Sequence, residues 1–111
     1  MDHLYILWTN ADELTFDKMV AMYAKNALLK QWWKEVTLII WGSTARLAGT
    51  SEPVQHKLLE LRDAGVHLSA CKACADSLGV TAALEGLGIE VKYWGEPLTA
   101  LLKNDEKLIT I

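Results

Sequence analysis

The chain has 111 residues, of which 51% are hydrophobic, with 11 basic and 14 acidic side chains and a net charge of -3. That length suits a single domain, residues 1–111, with a core that needs no staples, and the apolar content excludes a disordered chain. No basic run or patch is present, which excludes a nucleic-acid partner from the expected functions.

Met1-Asp2-His3 lacks a basic leader region, and the apolar run from Leu4 to Trp8 is too short for a signal peptide or a membrane span. The expected compartment is therefore the cytoplasm, with no membrane span. In a reducing compartment the two cysteines point to redox, nucleophilic or packing roles before a structural disulfide.

Leu4-Tyr5-Ile6-Leu7-Trp8 is a continuous apolar run and fits a strand covered on both faces. Thr9 to Glu13 is polar, and its acids suit a helix N-terminus. Phe16, Met19, Val20, Tyr23, Ala27 and Leu28 recur at helical spacing, which predicts a helix over 15–32. Val36 to Trp41 is the second strand, ended by Gly42-Ser43-Thr44. Ala45 to Ala48 predicts a short helical turn, and 49–53 a loop in which Ser51 caps the next helix. Val54, Leu58 and Leu61 mark that helix's buried face, and Gly65 stops it.

Val66 to Ala70 is the third strand. Cys71 to Leu78 and Val80 to Leu87 read as two short helices, ended by Gly79 and Gly88. Ile89 to Trp94 is a fourth strand whose alternating polar residues place it near the sheet edge. Gly95-Glu96-Pro97 breaks it, Leu98, Leu101 and Leu102 form a last helix, and Lys107 to Ile111 is the fifth strand. Strands and helices alternate with short connections, so the fold class is α/β with a parallel sheet.

Ligands of open parallel sheets sit at the carboxyl ends of the strands. Those ends are Trp8-Thr9-Asn10, Trp41-Gly42-Ser43, Ala70-Cys71-Lys72 and Trp94-Gly95-Glu96. Trp8, Trp41 and Trp94 therefore either close the core or an interface, or wall an aromatic pocket around Cys71. Asn10, Ser43 and Glu96 either line that pocket or cap loops. Of Trp32 and Trp33, one belongs to the core and the other to the surface or an interface. His3 and His56 read as surface residues, and His67 as a strand residue satisfied by a neighbour.

The two cysteines, Cys71 and Cys74, are spaced C-x-x-C at a strand-to-helix junction. Four readings fit: a dithiol pair sharing one helix face, a metal site with His67, buried packing, or a single nucleophile at Cys71. In the last, helix-start N–H groups and the neighbouring Lys72 would lower the pKa of the thiol. Two thiolates are half of a tetrahedral set and no second C-x-x-C exists, so no metal site is expected, and no motif predicts a cofactor.

The segments "ACKACADSLGV" (70–80) and "LGIEVKYWGEPLTALL" (87–102), with the order of the elements, resemble the DsrE/DsrF-like family of small sulfur-relay and sulfur-oxidation proteins. The resemblance implies a three-layer α/β/α fold with a five-stranded parallel sheet of order 4-3-2-1-5. It implies homo- or hetero-oligomers, often trimers or hexamers, and sulfur donor and acceptor proteins as partners. A cysteine after the third strand carries sulfane sulfur in the relay members, and Cys71 occupies that position; the chain would then be a sulfurtransferase or sulfur carrier. Cys74 lies outside the relay pattern, although some members of unknown role carry a similar C-x-x-C. Cys74 would resolve a persulfide or pair with Cys71 in a redox switch. The alternative class is a ligand-binding or assembly module with structural cysteines.

Overall fold

The computed structural model describes residues 2–111. The elements in order are β1 (His3–Trp8), α1 (Glu13–Thr15), a π-helical segment (Phe16–Ala21), α2 (Met22–Leu29), β2 (Glu35–Ile40), α3 (Ser43–Thr50), α4 (Glu52–Asp63), β3 (His67–Cys71), α5 (Lys72–Leu78), α6 (Thr81–Gly86), β4 (Glu90–Lys92), α7 (Gly95–Lys103) and β5 (Lys107–Thr110). The five strands form one parallel sheet, as the alternating pattern predicts, in the order β4-β3-β2-β1-β5 that the family resemblance implies.

That order decides which face each helix covers. From β1 to β4 the chain steps one way across the sheet, so right-handed crossovers put α1 to α6 on one face. The step from β4 back to β5 runs the other way and carries α7 alone across the opposite face. The packing agrees. Leu4, Ile6, Trp8, Val36, Leu38, Ile40, Leu68 and Ala70 form a single core with residues of the π-helical segment and of α2 to α6. No residue of α7 is buried. Beneath α7 the alternate strand residues include half-buried Tyr5 and Leu7 and buried Thr37, Ile39, Ser69 and Cys71.

That second face carries side-chain hydrogen bonds between its strands and to the start of α7. His3 Nε2 lies 2.7 Å from Thr37 Oγ1, so His3 is not the surface residue expected. The Ser69 hydroxyl donates to Glu90 Oε1 at 2.7 Å and accepts from Trp94 Nε1 at 2.8 Å. His67 is satisfied from the neighbouring strand, with Nε2 3.4 Å from Glu90 Oε1.

Three local features depart from the sequence reading. The first helix contains a π-helical segment, whose i→i+5 bonding rotates the faces that follow. Phe16, Val20, Ala21, Ala24 and Ala27 consequently enter the core, while Met19 turns outward. The helix after β2 runs the full length of Ser43–Thr50, because Thr44, Ala45 and Ala48 are buried against its neighbours. Finally, Gly95-Glu96-Pro97 begins α7 instead of only ending β4. Pro97 sits in the first turn, where its missing N–H has no helical partner to lose.

Gly49, in the last turn of α3, lets α3 meet α6. A Cβ there would stand 2.6 Å from Val80 Cβ, and Val80 is buried. Gly49→Ala is expected to destabilise the fold by about 1–3 kcal/mol through overpacking. In urea denaturation, Gly49→Ala/Val80→Gly should recover part of the loss seen in Gly49→Ala, measured against Val80→Gly alone, because glycine at position 80 removes the Cβ that the new methyl group meets. Simple additivity would refute the close approach.

Candidate functional site

The carboxyl ends of β2 and β3 are neighbours, in a register that pairs Ile40 with Ala70. The next residues of each chain segment are therefore adjacent in space, and they supply the site. After β2 the chain turns at Gly42, whose φ of 73° is in the region that favours glycine. Thr44 secures the turn. Its buried hydroxyl lies 2.8 Å from the Trp8 carbonyl and 3.0 Å from the Trp41 carbonyl, and accepts from the Trp41 N–H at 3.1 Å. The end of β1 is thereby tied to the turn after β2.

After β3, Cys71 is the last strand residue and the N-cap of α5, and Cys74 lies in the first turn. The two thiols interact, and besides burial the Cys74 thiol raises the pKa of Cys71. Their surroundings differ. Cys71 is 4% exposed. Cys74 is partly exposed and lines a cavity of about 340 Å³ with Gly42, Ser43, Arg46, Ser77 and Leu78. The Gly42 N–H donates to Cys74 Sγ at 3.4 Å. Arg46 is exposed and forms no ion pair among the described residues.

The electrostatics of Cys71 correct the expected lowering of its pKa. Burial pushes the thiol up, and the neighbouring Cys74 thiol adds to the rise, while the backbone N–H groups of Cys74 and Ala73 pull it down. Desolvation of the thiolate outweighs the helix-start donors. Lys72 does not reverse this balance, because its ammonium is engaged elsewhere. Nζ binds Asp76 Oδ2 at 2.9 Å and lies 5.8 Å from the centre of the Tyr93 ring. That pairing raises the Lys72 pKa, and Asp76 is held low by hydrogen bonds from Thr81 and Lys72.

The tryptophans are separated, and none lines the cavity beside Cys74. Trp8 is fully buried on the helical face, stacked on Phe16 with ring centres 4.5 Å apart. Trp94 folds back over the other face to reach Ser69, with Lys92 Nζ 4.6 Å above its ring. Trp41 is half-buried at the turn. Trp33 packs against the core and donates to the Tyr23 hydroxyl, whereas Trp32 is exposed.

Of the polar candidates, only Ser43 reaches the cavity, and its hydroxyl also lies 3.5 Å from the Thr9 carbonyl. Asn10 is a loop cap that accepts from the Asp12 N–H at 2.9 Å. Glu96 lines a separate open groove along α7 with Tyr93, Pro97 and Lys103. Sequence reasoning missed Arg46, Ser77 and Leu78, which carry no local motif. The strand order and the register of β2 against β3 are the signals that point to them.

Burial of Cys71 has a measurable sign. Its protonated form is favoured on folding, so its contribution to stability holds below the ordinary thiol range and is lost as pH rises through the elevated folded value. In Cys74→Ala, alkylation of Cys71 should rise through a midpoint above that of a free thiol. A midpoint below that of a free thiol would contradict the dominance of burial.

No family model matches the chain, and no curated protein does. Among solved structures, the ychN protein of E. coli superposes with a TM-score of 0.68 at 17% identity, with all of each chain covered. That likeness is one of fold, and it extends to the sheet order. A conserved protein of unknown function from Bacteroides thetaiotaomicron superposes with a TM-score of 0.97 at 41% identity, over 99% of this chain and 95% of the other. At that identity and coverage, the chain belongs to the same family as this conserved Bacteroides protein.

Proposed function

We propose that this chain is a small DsrE-like thiol protein that carries sulfane sulfur as a persulfide on Cys71 and passes it to a partner protein. The observation that carries the reading is the pairing of two thiols where β3 meets α5, one enclosed and one facing a cavity. An enclosed persulfide is sheltered from the bulk thiols that would reduce it. The second thiol, Cys74, is positioned to exchange with it. The likeness to the ychN fold and the resemblance of residues 70–80 to sulfur-relay proteins support the same reading. Donor and acceptor are proteins or small molecules bearing a persulfide or a thiol.

The closeness of the two sulfurs also favours a second use, a Cys71–Cys74 disulfide formed under mild oxidation. Mass spectrometry separates the two. Exposure to a persulfide donor should add the mass of one sulfur atom to the wild-type chain, reversibly with dithiothreitol, and nothing to Cys71→Ser/Cys74→Ser. Loss of two hydrogens without added sulfur would favour the redox switch, and no change under either treatment would refute both.

The sparse cover under α7 supports assembly into a homo-oligomer. Tyr93 and Leu102 are 65% and 57% exposed, beside a sheet face whose Tyr5 and Leu7 are only half-buried. Light scattering should give a mass above that of one chain, and Leu102→Glu should lower it. A wild-type monomer would refute assembly through this face.

A further inference from the structure

The asymmetry between the two thiols suggests a division of labour. Cys71 is 4% exposed, so a donor in solution has only a restricted approach to it. Cys74 stands at the wall of a cavity large enough for a small molecule, and its sulfur is oriented by the Gly42 N–H. Gly42 is held where it is by its positive φ and by the Thr44 hydroxyl. One wall of the cavity is Leu78, which gives it an apolar side, while Ser43 and Ser77 add hydroxyl groups. Arg46 adds a guanidinium with no carboxylate partner among the described residues. A cation unpaired at the mouth of a thiol-bearing cavity suits an anionic ligand.

We propose that Cys74 is the loading thiol, that its cavity admits small anionic persulfides guided by Arg46, and that the sulfur then moves to Cys71. This inference rests on the sulfur-carrier reading and assigns it an order of events. In the first step the Cys74 thiolate attacks the outer sulfur of a donor R–S–SH. The donor S–S bond breaks as the new Cys74 S–S bond forms. The electron pair leaves on the donor sulfur, which takes up the proton given by Cys74 and departs as R–SH. In the second step the Cys71 thiolate attacks the same outer sulfur. Cys74 leaves as thiolate and receives the proton that Cys71 gave up. Each step exchanges one S–S bond for another, so no external oxidant or reductant is consumed.

The arrangement explains why both thiols occur in one turn. A single exposed cysteine would load quickly but surrender its sulfur to any passing thiol. A single enclosed one would protect the sulfur but load slowly. The pair separates the two demands, because reactivity depends on access as well as on ionisation.

The test uses the full chain and glutathione persulfide, whose carboxylates make it anionic. Loading is followed by mass spectrometry with peptide mapping. The wild type should carry its sulfur chiefly on Cys71. Cys71→Ser should load at a similar rate and hold the sulfur on Cys74. Cys74→Ser should load Cys71 slower by a factor on the order of ten or more. Arg46→Gln should slow loading from glutathione persulfide about fivefold more than it slows alkylation of Cys74 by neutral iodoacetamide, the scale of an exposed ion pair. The alkylation rate corrects for any change in the thiolate fraction. Circular dichroism confirms that each variant is folded. Wild-type rates of Cys71 loading in Cys74→Ser would overturn the loading role while leaving sulfur carriage intact. Failure of the wild type to take up any sulfur would overturn the carrier reading and the order of events with it.

Discussion

A right-handed crossover places each connection on the side set by the direction of travel across the sheet, and most of this structure follows from that constraint. Three consecutive steps in one direction stack six helices and the π-helical segment on one face. The single long return leaves α7 alone on the other. The core consequently lies on one side of the sheet, where alternate residues such as Ile6, Leu38 and Ala70 meet helices. The other side holds its buried polar groups through side-chain hydrogen bonds, with Ser69 linked to both Glu90 and Trp94. Buried hydroxyls need such partners, and this face supplies them from the adjacent strand and from the start of α7.

The same constraint makes the thiol site. Because β2 and β3 are adjacent and parallel, their carboxyl ends emerge side by side, and the segments that follow them must turn away in close company. On the β2 side that turn requires glycine at position 42 and is closed by the Thr44 hydroxyl. On the β3 side the chain enters α5 with no intervening loop, so both cysteines are carried on a rigid junction. The Gly42 N–H then meets Cys74 instead of solvent. The cavity between α3 and α5 is what remains between two helices that start from neighbouring strands.

Electrostatics at the junction are decided by a competition. Backbone N–H groups at the start of α5 favour a Cys71 thiolate, and burial opposes it with greater effect. Lys72, adjacent in sequence, contributes no relief because Asp76 one turn later takes its charge. The thiol with access to solvent is the one further along the helix. Reactivity in a C-x-x-C pair thus follows from which member the sheet encloses.

Local pattern carried the fold a long way. The alternation of apolar runs with helical periodicities specified five strands and a parallel sheet, because burial on both faces leaves few polar residues in a strand. Ser51 as a cap, and the glycines at positions 65 and 79, were legible because each answers a backbone need that few residues meet. The C-x-x-C motif located the chemistry at the end of β3. What the tertiary structure alone decided was the company each side chain keeps. The π-helical segment changed which methionines face out, and Trp8 and Trp94 went to opposite faces of the sheet because residue parity and a chain reversal separate them. Arg46 came to stand beside Cys74 across a gap of 28 positions, a proximity that arises only from the register of β2 against β3. Enclosure of Cys71 and exposure of Cys74 likewise depend on the helices packed around the junction, a contact pattern that no short stretch of sequence encodes.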